Sequence, residues 1–130
     1  MTLAHGDSIV EFKDKIIFVA LDGAFNKEGV ADWIQKIKVI INNLNGERFG
    51  MLMDMREALG GTPESFELSN QYNAWLNKQN LVAKALIYGS SVFEDMDKTL
   101  VPSKKYQNTK VFDNAEQAKL WLVSELIAVS

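Results

Sequence analysis

The side chains able to do chemistry are few, and four of them fall at the ends of apolar runs. Asp22 closes Ile16-Ile17-Phe18-Val19-Ala20-Leu21 and Asp54 closes Phe49-Gly50-Met51-Leu52-Met53; Arg56 follows two residues on, and Thr62 stands before Pro63. Neighbouring carboxylates push each other's pKa values apart, so Asp22 and Asp54 together could hold a cation or act as acid and base. Aspartates at strand ends more commonly cap helices and turns, and no histidine or third carboxylate joins these two at a metal-ligand spacing. Arg56 fits a solvated ion pair with Glu57, or an anionic ligand. Thr62 fits a plain N-cap and, second to that, a phosphate acceptor at a helix start. The single histidine, His5, lies in an unpatterned beginning without partners. No Gly-x-Ser-x-Gly elbow supports nucleophilic catalysis. Gly60-Gly61-Thr62 lacks the lysine and the spacing of a phosphate loop. The residues therefore assign no catalytic group, no metal and no cofactor.

Composition narrows the classes further. The 130 residues fit one domain, 1–130, able to bury about 65–70% of its extended surface in a single core. A net charge of −3 gives no basic footprint for nucleic acid. The absence of cysteine removes disulfides, thiolate metal sites and cysteine nucleophiles. The first residues, Met1 to Asp7, have neither the basic nor the apolar part of a signal peptide. No apolar run approaches the roughly 20 residues of a membrane span. A cytoplasmic location is the expectation.

The elements that must position those side chains can be read in order. Ser8–Lys13 alternates and Lys15–Leu21 is apolar throughout, a hairpin whose second strand is covered on both faces. Asn26 caps a helix with apolar residues at Val30, Trp33, Ile34, Ile37, Ile41 and Leu44, closed by Asn45-Gly46. The strand Phe49–Asp54 comes next and ends in an Arg56–Gly61 loop. Thr62-Pro63-Glu64 then opens a helix running to about Asn80. Ala83–Tyr88 is a strand, and Gly89-Ser90 turns into a short helix capped by Ser91 with Glu94 and stopped by Pro102. Lys110–Phe112 is the last strand, followed from Asp113 by a helix with Ala115, Ala118, Trp121, Leu122 and Leu126 on its apolar side. The order β-β-α-β-α-β-α-β-α predicts an α/β fold: a mixed, mostly parallel five-stranded sheet with four helices and right-handed crossovers.

Three stretches carry a resemblance. Ile16–Asp22 before a helix, Met51-Leu52-Met53-Asp54 before a glycine turn, and the Val111-to-Leu122 segment are together similar to the SpoIIAA-like or STAS family. They look closest to its uncharacterised bacterial branch, related to CRAL-TRIO-type lipid binders. The resemblance spans nearly the whole chain at fold level and rests on apolar motifs. It implies a non-enzymatic domain. Anti-sigma-factor antagonists of this kind carry a phosphorylatable serine in an Asp-Ser-x-Gly motif after the third strand. Here that strand ends Asp54-Met55-Arg56-Glu57, without the serine.

The sharpest functional signal is apolar. The helix from Thr62 presents Phe66, Leu68, Tyr72, Trp75 and Leu76 over a wide arc, and the next helix adds Phe93, Met96 and Leu100. A filled core or a homodimer contact accounts for such an arc. A pocket walled by Phe66, Tyr72, Trp75, Phe93 and Met96 accounts for it too, and would bind a small apolar or amphiphilic, lipid-like ligand. Lys98, Lys104 and Lys105 would then meet an anionic head group or a membrane surface. The alternative is a protein-interaction domain of the anti-sigma-factor-antagonist kind, docking through these helices.

Overall fold

In the computed structural model, which describes residues 3–130, the chain folds as one five-stranded sheet with four α-helices. Met1 and Thr2, part of the stretch read for a targeting signal, lie outside the described residues. The strands are β1 (Asp7–Lys13), β2 (Ile16–Phe25), β3 (Phe49–Gly61), β4 (Leu81–Tyr88) and β5 (Thr109–Val111). The helices are α1 (Lys27–Asn43), α2 (Pro63–Leu76), α3 (Ser91–Leu100) and α4 (Ala115–Ala128), with a 3-10 segment at Pro102–Tyr106. The strands lie side by side in chain order; β1 is antiparallel to β2 and all later pairs are parallel. Asp14 and Lys15 both have positive φ (53° and 65°), as a two-residue hairpin turn that matches strand twist requires.

Crossovers that keep one hand while stepping in one direction put their helices on one face. Accordingly α1, α2 and α3 share a face, over a core containing Ile17, Val19, Ile37, Met51, Met53 and Leu76. Among the described residues only α4 covers the other face, packing Ala118 and Leu122 on Ile16, Leu52, Ala83, Ala85 and Ile87. Alternate residues of each strand supply the two cores, so β2, β3 and β4 are covered on both sides. The wide apolar arc of α2 has a structural cause: the helix packs against α1, α3 and the 3-10 segment.

Several boundaries differ from those read in the sequence. β2 does not stop at Asp22-Gly23, and the Arg56–Gly61 stretch is strand rather than loop: pairing continues to Phe25 opposite Gly61. Two register irregularities, Gly23 at φ 91° and Gly60 at φ 138° let both strands bend and go on pairing. α2 ends at Leu76, short of Asn80. Ser90, not Ser91, caps α3, accepting from Phe93 N at 3.1 Å, and Asn114, not Asp113, caps α4.

Gly89, where β4 hands over to α3, is fixed by a close approach. A Cβ there would lie 2.0 Å from the carbonyl oxygen of Arg56, a backbone atom of paired strand β3. Gly89→Ala is expected to cost about 1–3 kcal/mol by forcing the two strand ends apart. Urea unfolding of the variant, followed by far-UV circular dichroism, checks this.

Candidate functional site

The polar residues expected at the strand ends do not form one site. Asp54 and Arg56 share the α4-side face of β3 and form a two-pronged pair, Arg56 Nε to Oδ1 at 3.0 Å and Nη2 to Oδ2 at 2.7 Å. Residues two apart on a strand face the same way, so Arg56 meets Asp54 and not Glu57. The hydrogen bonds from Arg56 hold the Asp54 carboxyl below its ordinary range, against the opposing effect of partial burial. Asp22 is exposed on β2, opposite Glu57, and shares a shallow surface depression with Asp54, Asp7 and Ser8. Thr62 caps α2, its Oγ1 accepting from Ser65 N at 3.1 Å. His5 is exposed and tethered by its own backbone amide to Asn26 Oδ1 at 2.8 Å. Among the described residues no group of three His, Asp or Glu side chains is placed to hold a metal ion.

The concentrated polar chemistry lies on the opposite face, beneath α2 and α3. Lys84, in the middle of β4, is 1% exposed and points away from the α4 side, where its neighbours Ala83 and Ala85 pack. Its Nζ donates to Asn73 Oδ1 at 2.8 Å. Asn73, on α2 and equally buried, also accepts from Gln107 Nε2 at 3.1 Å and donates from Nδ2 to the Ser69 carbonyl at 2.8 Å. Beside them Asp97 of α3, 4% exposed, accepts from Tyr88 Oη at 2.6 Å and pairs with Lys104 Nζ from the 3-10 segment.

Burial sets the electrostatics of this cluster. Loss of solvent, then the like charge of Lys104, hold the Lys84 amine well below the ordinary lysine range; Asp97 offsets this in part. Burial, followed by the Asp97 charge, raises the Tyr88 hydroxyl, and burial alone raises that of Tyr72. Both phenols therefore keep their protons, as donors, throughout the physiological range.

Lys84, Asn73, Asp97 and Lys104 border a cavity of about 40 Å³, whose remaining wall is mostly apolar. Phe66, Tyr72 and Phe93 from the expected aromatic pocket line it. Trp75 stands behind Tyr72, ring centroids 6.2 Å apart, with Lys38 Nζ 4.8 Å over its ring. Met96 borders a separate open recess with Leu59, Gly60, Gly61 and Thr62. Of the three lysines expected near a head group, only Lys104 reaches the cavity; Lys98 pairs with Glu94 and Lys105 lies over Tyr106. A space this size holds a few water-sized groups, at about 10–15 Å³ each.

Sequence reasoning missed Lys84, Asn73 and Asp97. The available signal was Lys84 itself, one charge inside the apolar run Leu81–Tyr88. Such a residue must either reach solvent or find partners.

The fold likeness is now specific. The chain has the SpoIIAA-like fold. A protein of the DUF3478 family with a SpoIIAA-like fold, from Shewanella loihica PV-4, superposes with a TM-score of 0.67 at 13% identity, covering 94% of this chain and 97% of that one. An anti-sigma factor antagonist from Mycobacterium paratuberculosis superposes with a TM-score of 0.64 at 11% identity, covering 92% and 95%. No family model matches the sequence, and no curated protein does. Identities this low carry the fold alone, and the expected relation to CRAL-TRIO-type lipid binders finds no support among these matches.

Proposed function

We propose that this chain is a non-enzymatic regulatory domain that acts by binding another protein, as an anti-sigma-factor antagonist does. The observation that carries this reading is the exposed apolar surface where β3 meets α2. Leu59 is 80% exposed there, and with Met96, Gly60 and Gly61 it borders an open recess. A large apolar side chain in water beside a shaped recess is the chemistry of an interaction site. Full-length likeness to an anti-sigma factor antagonist supports the same class of function. The serine of the family's phosphorylation motif is missing, so docking here depends on apolar contact. The lipid-like ligand is the weaker reading, because the cavity beneath α2 holds only about 40 Å³.

The test uses two variants of the recess: Leu59 stands in solvent, and Met96 is partly buried against the core. Leu59→Glu and Met96→Glu are expected to lower recovery of a cross-linked protein partner at least about tenfold, the effect of losing a hot-spot contact of roughly 1.4 kcal/mol or more. The unfolding midpoint of Leu59→Glu should stay close to that of the parent, whereas Met96→Glu loses some stability because Met96 also packs on the core, so its recovery is measured on folded protein. Unchanged recovery with both variants overturns the docking surface, and failure to find any stoichiometric partner overturns the function.

A further inference from the structure

Among the described residues, one buried charge has no partner of opposite sign. Two ammonium groups, Lys84 and Lys104, and one carboxylate, Asp97, border the cavity beneath α2. Asp97 is committed to Lys104 and to Tyr88 Oη. Lys84, 1% exposed, donates only to the neutral amide of Asn73, so its positive charge is unmatched. An unpaired buried ammonium is expensive: it either gives up its proton or takes on a counter-ion.

Two further donors of residues lining the same cavity are poorly satisfied. Trp33 lines it and is 4% exposed, and its buried Nε1–H has no partner. Tyr72 Oη, also in the wall, reaches only Met51 Sδ at 3.8 Å, and a thioether is a weak acceptor. Asn73 Oδ1 is already shared between Lys84 and Gln107. An indole N–H without a partner, a phenol O–H with only a weak one and an ammonium without a counter-charge therefore belong to three residues of one cavity wall, where the one carboxylate, Asp97, is already paired. Buried donors are rarely left in this state.

We propose that this cavity is a binding site for a small monocarboxylate, held by the Lys84 ammonium, the Trp33 Nε1–H and the Tyr72 hydroxyl. A monoanion balances the one unmatched charge, whereas a phosphate dianion would add a second negative charge beside Asp97. The volume of about 40 Å³ takes three or four heavy atoms, at about 10–15 Å³ per water-sized centre, which is the size of formate or acetate. A carboxylate supplies two oxygens with several lone-pair positions, enough for the three donors. Entry is from the outer recess, since Phe25 and Gly60-Gly61 border both spaces. The site lies inward of the docking recess, and its carboxylate binding does not rest on the proposed protein partner.

The decisive experiment follows the three tryptophan indole N–H resonances of isotope-labelled protein during titration with sodium formate and sodium acetate. Sodium chloride at equal ionic strength is the control, and Trp33→Phe identifies the Trp33 signal. The Trp33 resonance is expected to move saturably with either carboxylate while those of Trp75 and Trp121 stay in place. Lys84→Met should weaken this response at least about tenfold, the loss of one hydrogen bond to a charged group. A Trp33 signal that does not move, or that moves equally with chloride, overturns the proposal. So does undiminished affinity in folded Lys84→Met. Should that variant not fold, the parent titration decides alone.

Discussion

Asp97→Ala is expected to lose about 3–5 kcal/mol of folding stability, the cost of removing one member of a buried ion pair. Asp97 and Lys104 side chains are 6% and 12% exposed, so solvent can do little to stabilise whichever is left alone. The substitution strands Lys104, removes the acceptor of Tyr88 Oη, and leaves two ammonium groups on one small cavity without a carboxylate. Both the like-charge repulsion and the unsatisfied phenol act against the folded state. Asp97→Asn keeps the shape and an acceptor but loses the charge, and should fall between the parent and alanine. The double variant Asp97→Ala/Lys104→Met should recover most of the loss, because an apolar pair replaces a broken ionic one. Urea unfolding of the four proteins gives the comparison. A loss under about 1 kcal/mol, the range of surface pairs, would mean that water reaches this pair.

The fold was legible in the sequence because its signals are local and periodic. The stripe from Val30 to Leu44, the Thr62-Pro63 helix start and the apolar strands Ile16–Leu21 and Phe49–Met53 each follow from spacing or capping within a few residues. What failed locally were extensions governed by pairing. Phe25 and Gly61 become strand because each has the other as partner, which neither sequence neighbourhood reveals. The polar site failed for the same reason on a larger scale. Lys84, Asn73, Asp97 and Lys104 come from β4, α2, α3 and the 3-10 segment, and only the crossovers bring them together. Asn73 and Asp97 draw no attention in sequence, because one polar residue beside an apolar stripe gives no hint that a buried lysine waits opposite. The strand-end residues stood out more in sequence, yet Asp54 and Arg56 satisfy each other and Thr62 satisfies its own helix.

That contrast assigns a cost to Lys84. Lys84→Met, similar in length and fully apolar, is expected to raise stability by about 1–4 kcal/mol near neutral pH, as apolar replacements of buried charged groups can do. The gain should shrink as pH rises. Below the folded-state pKa of Lys84 both states hold the proton and the residue adds no slope. Between that depressed value and the unfolded value of about 10.4, the unfolded chain holds a proton that the folded chain lacks. Parent stability therefore climbs with pH in this window, by up to about 1.4 kcal/mol per unit, and the climb should be missing in Lys84→Met. Tyr72 and Tyr88 bend the curve the other way only above about pH 10, where the unfolded chain begins to release phenol protons that the folded chain retains. Urea midpoints of both proteins from about pH 7 to about pH 9.5 isolate the lysine. Parallel curves would show that Lys84 keeps its ordinary pKa and has found a counter-charge inside the fold. Curves that converge as pH rises would show a residue whose depressed pKa weakens the apo fold near neutral pH. Acetate should then narrow the gap at neutral pH, since a ligand that binds the folded state stabilises it by mass action and the methionine variant binds it at least about tenfold more weakly.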